Sequence, residues 1–192
     1  MQSIFNQSFF SRDVLEVAPQ LPGKTIGRII HGERKEFIIT EVEAYRGTED
    51  LACHASKGRT RRTEIMYHEG GHIYMYLIYG MYWMLNIVTG TADNPQAILV
   101  RSLQGVQGPG RVSRALELDG SFYGEKIFIQ CGGELYGAEN CIWAGCYRAG
   151  KDVFDRQRHV RCWGDGRRIG YGWCEGNGGC EGYGGGEARS WC

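Results

Sequence analysis

The chain has 192 residues, enough for one domain with a real hydrophobic core and short for two. Lys plus Arg and Asp plus Glu are both 22, so the total charge neither announces nor excludes a nucleic-acid partner, and only a local patch can do so. The opening residues show no basic start followed by a long apolar run, which argues against a secretory signal and leads us to expect a cytoplasmic protein.

In chain order, "DVLEVAPQLPGK" begins as a helix. Val14, Leu15 and Ala18 lie at helical spacing, Asp13 can cap them, and Pro19 and Pro22 end the run. "RIIHGERKEFIITEVEAY" reads as a strand, a polar turn near Gly32 and a second strand. "KGRTRR" then places Lys57, Arg59, Arg61 and Arg62 within six positions. Taken alone, such a run suits a solvated loop as well as a phosphate-binding patch.

"HIYMYLIYGMYWMLNIV" is the most apolar stretch. From Ile73 to Val88 it counts 16 residues, fewer than the roughly 20 of a spanning helix, and it contains Gly80 and Asn86. Tyr74 and Tyr76 alternate with Ile73, Met75 and Leu77, a period of two. The expectation is a β-hairpin around Gly80 and no membrane span. "QAILVRSL" predicts another strand, and "GPGRVSRALEL" a helix carrying Val112, Ala115 and Leu116 on one face.

Residues 131–192 differ in character. They hold 16 of the 30 glycines, no proline, seven of the eight cysteines, and six residues among Leu, Ile, Val and Phe in 62 positions. Such a composition offers little burial to offset chain entropy. The cysteines form no CxxC pair, so no metal site is expected. A loose tail and a shifted reading frame beginning between about Gly124 and Cys131 both fit this composition. The expected division is therefore residues 1–130 as the working domain and 131–192 as a divergent region. Strands and helices mix without regular βαβ alternation, so the expected fold class is α+β. We expect one domain with a mixed, mainly antiparallel curved sheet, flanking helices, a protruding β-hairpin and an irregular C-terminal tail.

The chemistry-bearing stretch is "FIITEVEAYRG". On a strand, Glu41, Glu43 and Tyr45 share one face, with neighbours on that face roughly 7 Å apart. Two carboxylates at that spacing could divide work on a glycosidic bond, or simply face solvent. His54, the cationic run and the tyrosine-rich hairpin follow closely. A carboxylate, a histidine, tyrosines and cations together suit acid–base chemistry on an aromatic ring attached to a phosphate backbone.

The blocks "EVEAYRGTEDLACHASKGRTRRTEIMY", "YMYLIYGMYWMLNIV", "AILVRSL" and "GPGRVSRAL" follow in the order found in the alkyladenine (3-methyladenine) DNA glycosylases, and the chain resembles that family from about residue 9 to 130. The resemblance implies a DNA repair enzyme that flips an alkylated or deaminated purine from double-stranded DNA and hydrolyses its N-glycosidic bond. It implies Glu43 as the general base that activates water, and Arg101 beside that water and the nucleotide backbone. Tyr45, His54, Tyr76 and Asn86 correspond to the pocket for the extruded base. Tyr79 corresponds to the wedge that fills the gap in the duplex, with Met81 against the same groove. Lys57, Arg59, Arg61, Arg62, Arg111 and Arg114 become candidates for phosphate contacts, while Tyr74, Tyr82 and Trp83 are expected in the core. The resemblance implies no cofactor, no metal and a monomer. It fails after residue 130, where "RRIGYG" matches the family but its surroundings do not. Two other function classes stay open on the sequence: a damage-binding DNA protein without turnover, and a hydrolase of free nucleosides.

Overall fold

From Glu41 to Ala44 the segment 33–46 alternates polar with apolar side chains, and it forms the strand on which the fold is built. The computed structural model describes residues 7–130, 142–145, 159–164, 167–175 and 179–183. Strand β1 (Thr25–Ile30) turns through His31 and Gly32, both at positive φ, into β2 (Glu33–Arg46). The first half of β2 pairs antiparallel with β1, and the second half pairs antiparallel with β5 (Gln96–Leu103). The register shifts on both sides of Glu41, near the point where β2 changes partner. Irregularities of this kind bend a strand and re-aim its side chains. Beyond β5 lie β4 (Tyr82–Thr89) and β3 (Ile73–Ile78), again antiparallel, and a two-residue β6 (Val106–Gln107) edges β5.

Further strands flank this frame. β7 (Ile127–Gln130) runs parallel to β8 (Ile142–Gly145), which joins β1. β9 (His159–Gly164) lies parallel to β2 and continues antiparallel into β10 (Arg167–Glu175) and β11 (Gly179–Tyr183). The expected irregular region, 131–192, lies for the most part outside the described residues. The fold class is α+β: a single domain with a mainly antiparallel sheet and few, short helices.

Those helices pack on the sheet. After α1 (Gln7–Phe10), α2 (Val14–Val17) starts at Asp13, whose carboxylate accepts from the Leu15 N–H at 2.9 Å. Gln96 of β5 accepts from the Val14 N–H at 2.6 Å and donates to Asp13 at 3.3 Å, so a buried amide ties the helix start to the sheet. α3 (Pro109–Ala115) begins with proline at a position that needs no N–H, and the Leu116 and Glu117 carbonyls just past its end accept from the buried Arg28 of β1.

Alternation divides the sheet into two faces. Val42, Ala44, Ile73, Met75, Leu85, Ile87, Ile98 and Val100 point into the main core with α2 and α3. Glu43, Tyr45, Tyr74, Tyr76, Asn86 and Arg101 occupy the opposite parity on the same strands. Tyr74, Val88 and Ala97 there form a second, smaller cluster with Cys53, Ala55, Ile65 and Met66. Among the described residues no helix is long and apolar enough to cross a membrane.

The layers close most tightly at Gly70, whose N–H donates to Gly90 O at 2.9 Å while the Gly90 N–H donates to Phe10 O at 2.9 Å. A Cβ on Gly70 would stand inside van der Waals contact with the Phe10 carbonyl, backbone that cannot swing aside. Gly70→Ala should therefore cost about 1–3 kcal/mol, lowering the melting temperature by roughly 5 °C. A calorimetric melt unchanged from the parent would contradict this packing.

Candidate active site

The sheet's second face brings the predicted residues together in rows. Register aligns Tyr74 with Asn86, Asn86 with Leu99 and Leu99 with Glu43 across β3, β4, β5 and β2. Neighbouring strands lie about 4.8 Å apart, so this row is a continuous floor. Tyr45 lies two residues along β2 from Glu43, on the same face.

Glu43 is 2% exposed and hydrogen-bonded at both oxygens. Arg101 Nη1 donates to Oε1 at 3.0 Å, and the Tyr45 hydroxyl donates to Oε2 at 2.8 Å. A buried carboxylate needs this company, because removing it from water costs several kcal/mol unless charge and hydrogen bonds compensate. The Arg101 side chain, 29% exposed, also brings Nε within 3.9 Å of Glu41, whose other oxygen accepts from Ser102 Oγ at 3.0 Å. Burial first, and Glu43 beside it second, push the Tyr45 phenol well above its ordinary range. It therefore stays a donor.

Beside this carboxylate lies a cavity of about 60 Å³, lined by Tyr45, Ala52, Cys53, His54, Met66, Tyr74, Tyr76, Asn86 and Ala97. His54 enters it from a 3-10 turn, His54–Lys57, and stands edge-on to Tyr76 with ring centroids 4.6 Å apart. Its Nδ1 lies 2.8 Å from the Tyr74 hydroxyl and its Nε2 lies 3.2 Å from Arg62 Nη2. A guanidinium only donates, so Nε2 is the acceptor and Nδ1 carries the proton. Asn86 spends its Nδ2 on the carbonyls of Tyr74 and Met84, at 3.1 and 3.2 Å, which fixes the amide. Burial raises the Tyr74 phenol to about 12 and the Cys53 thiol to about 11, so both stay neutral.

The hairpin between β3 and β4 carries exposed side chains around its tip. Tyr79 and Gly80 at its tip both have positive φ, 53° and 67°, and the Met81 N–H donates to Ile78 O at 3.1 Å. Left-handed backbone costs a bulky residue on the order of 1–3 kcal/mol. Tyr79 is nevertheless 85% exposed and Met81 64% exposed, with Leu77 and Tyr82 also partly in solvent. Tyr82 thus departs from the expected core position, because it opens β4 next to the tip and packs only its inner side, against Gly110. Trp83 and Tyr74 do pack inward, and Tyr74 also lines the cavity.

The cationic run divides. Arg59 is held by Glu64 at 2.6 and 2.9 Å and by Asp93 at 3.1 Å, and Arg62 lies over the Tyr76 ring. Lys57, Arg61, Arg111 and Arg114 are exposed. The described residues contain no cluster of metal ligands.

These residues make a pinned carboxylate beside a pocket with aromatic walls, on a chain that also carries an exposed aromatic hairpin tip. Residues 8–108, which contain Glu43, Tyr45, His54, Tyr76, Tyr79, Asn86 and Arg101, match the family model of methylpurine-DNA glycosylase, and the chain belongs to that family. It is 44% identical over 118 residues to a Legionella pneumophila (strain Corby) protein named "Putative 3-methyladenine DNA glycosylase", covering 58% of this chain and 64% of that one. A Bacillus cereus (strain B4264) protein of the same name is 45% identical over 109 residues, covering 56% of this chain and 53% of the relative. The chain thus spans between half and two thirds of the length of these relatives.

Three participants take roles that the sequence did not assign them. Tyr74 orients His54, Arg62 reaches its other nitrogen, and Tyr123 accepts from the Ile65 N–H at 3.1 Å, holding the 58–67 loop from 58 residues away. Only the alternation in β3 hinted at Tyr74.

Burial, then Arg62, then Lys57 lower the His54 imidazole from 6.5 to about 4. Between those values the unfolded chain binds a proton that the folded chain refuses, so stability falls as pH drops through that window. His54→Gln removes this contribution. The gap in urea midpoint between parent and variant should narrow from pH 7 to pH 4.5, and a constant or widening gap would contradict the assignment.

Proposed function

We propose that the chain is a monofunctional DNA glycosylase, which flips an alkylated or deaminated purine from duplex DNA into the Tyr45–His54–Tyr76 pocket and hydrolyses its N-glycosidic bond. The observation that carries this reading is the buried Glu43 carboxylate, held at both oxygens beside an aromatic cavity in a chain of this family. Water is the nucleophile. Its oxygen bonds to the deoxyribose anomeric carbon as its proton passes to Glu43, and the electron pair of the C–N bond leaves with the base. The sugar is cationic in the transition state, so the carboxylate also stabilises developing positive charge. Arg101 and Tyr45 hold that carboxylate in one orientation throughout. Among the described residues the lining contains no lysine, which supports simple hydrolysis over a Schiff-base route.

Selection begins with flipping, which costs a few kcal/mol and least for a weakly paired damaged base. Faces of Tyr45 and Tyr76 favour electron-poor or cationic rings. Asn86, its amide fixed by two carbonyls, crowds the exocyclic amino group of guanine. Tyr79 enters the duplex and fills the gap, and the backbone strain at the tip is the cost of holding that ring forward. Lys57, Arg61 and Arg111 contact phosphates without reading sequence, and Arg59 contributes once its carboxylate partners yield. The enzyme acts as a monomer, needs no cofactor and works in the cytoplasm.

The test is single-turnover release of hypoxanthine or ethenoadenine from a duplex. The parent should release base, and Glu43→Gln should lose at least about a hundredfold in rate. Duplex binding without release by the parent would favour a damage-binding protein without turnover. Release of base from free nucleosides, with no response to salt, would favour a nucleoside hydrolase. Tyr79→Ala should weaken binding to damaged duplex by roughly tenfold, the worth of one stacked ring, while leaving the melting temperature about unchanged, since alanine keeps the same Cβ on left-handed backbone. Equal duplex affinity in a titration would remove Tyr79 from the interface.

A further inference from the structure

Arg62 stands in an unusual place for a phosphate contact. Its guanidinium lies over the Tyr76 ring, 5.1 Å from the centroid, and its Nη2 lies 3.2 Å from His54 Nε2. Two surfaces of the proposed base pocket, the face of Tyr76 and a ring nitrogen of His54, are thus both taken by one side chain. The backbone beneath it is anchored. Tyr123 Oη lies 3.3 Å from the Arg61 and Arg62 carbonyls, and the buried Thr63 hydroxyl donates to Gly58 O at 3.0 Å. The side chain itself is exposed. A fixed base with a long, solvent-facing arm can swing without unfolding the loop.

The chemistry of the occupant matches the chemistry of the site. A guanidinium is flat, cationic and edged with N–H donors, and it stacks on aromatic faces better than a lysine ammonium. An alkylated purine is also flat and electron-poor. We propose that Arg62 is an intramolecular plug of the base pocket: in the DNA-free chain it occupies Tyr76 and His54 Nε2, and an incoming base must displace it. This rests on the pocket being a base site. By holding Nε2 as an acceptor, Arg62 also keeps His54 in the Nδ1-protonated form, hydrogen-bonded to Tyr74. Once displaced, the guanidinium is released beside the nucleotide whose base took its place, where a phosphate is the natural partner. The plug therefore opposes free bases, which bring no phosphate, more than bases delivered by a duplex.

The test compares the parent with Arg62→Ala and Arg62→Lys in two titrations. Free 1,N6-ethenoadenine is followed by the imidazole 15N signals of His54, and a duplex carrying the same lesion is followed by anisotropy. The plug predicts opposite signs: Arg62→Ala binds the free base about tenfold tighter and the duplex more weakly. Arg62→Lys, which keeps the charge and loses the planar fork, should fall between them on the free base. Unchanged free-base affinity with weaker duplex binding would overturn the proposal and leave a simple phosphate contact. Weaker free-base binding would overturn it in favour of Arg62 as part of the base sandwich. No free-base binding and no lesion preference in any of the three chains would sink the base-pocket reading itself, a failure distinguishable from the other two.

Discussion

The arrangement depends on keeping one carboxylate buried. Glu43 lies on the middle strand of the frame with an arginine on one oxygen and a phenol on the other, and neither partner is close in space by accident. Arg101 comes from β5, two residues beyond Leu99, the partner of Glu43, at the irregularity where Val42 faces Val100 and Glu41 faces Ser102. Tyr45 reaches back along its own strand, two residues on. Removing either partner leaves a buried oxygen short of a donor, a loss of roughly 1–3 kcal/mol, and more where the lost partner carries charge. The geometry behind the proposed role of Glu43 is also what makes it tolerable in the fold.

Everything else in the site follows from the two faces of the sheet. One parity of β2, β3, β4 and β5 is aliphatic and lies on the helices, which makes the frame rigid. The other parity carries the acid, the tyrosines and the asparagine. A one-residue slip would exchange the faces, so the hydrophobic core enforces the register of the site. The hairpin is the exception. Its tip departs from the core, keeps an aromatic ring in solvent and accepts left-handed backbone at a tyrosine. That strain sits where packing does not demand it, and it is the observation behind the proposed contact of the tip with duplex DNA.

Much of this was legible in the sequence because it is local. The alternation in "EVEAY" and "YMY" placed Glu43, Tyr45 and Tyr76 on strands, Gly80 marked the turn, and "QAILVRSL" coincides with β5. What was not legible depends on contacts between distant residues. Nothing near Tyr123 in the chain announces that its hydroxyl holds a loop 58 residues away, and nothing in "KGRTRR" separates Arg59, bound by Glu64 and Asp93, from Arg62, lying on Tyr76. Tyr82 was misplaced for a related reason. An aromatic beside a hairpin tip has the composition of core, and only the protrusion of the tip exposes it. The role of Glu41 was equally hidden, since its approach to Arg101 depends on the irregular register beside it.

The central claim is that Tyr45 and Glu43 act as one unit, the phenol working through the carboxylate it holds. Single-turnover base release from a lesion-containing duplex, measured for Tyr45→Phe, Glu43→Gln and the double variant, tests it directly. Loss of the hydroxyl should slow the parent by roughly tenfold, as expected for a hydrogen bond to a charged group. The same change should alter the Glu43→Gln background by less than about twofold, because the group it positions is already gone. An equal factor in both backgrounds would mean that Tyr45 acts on the substrate independently, and the pinned carboxylate would not be the organising feature of the site.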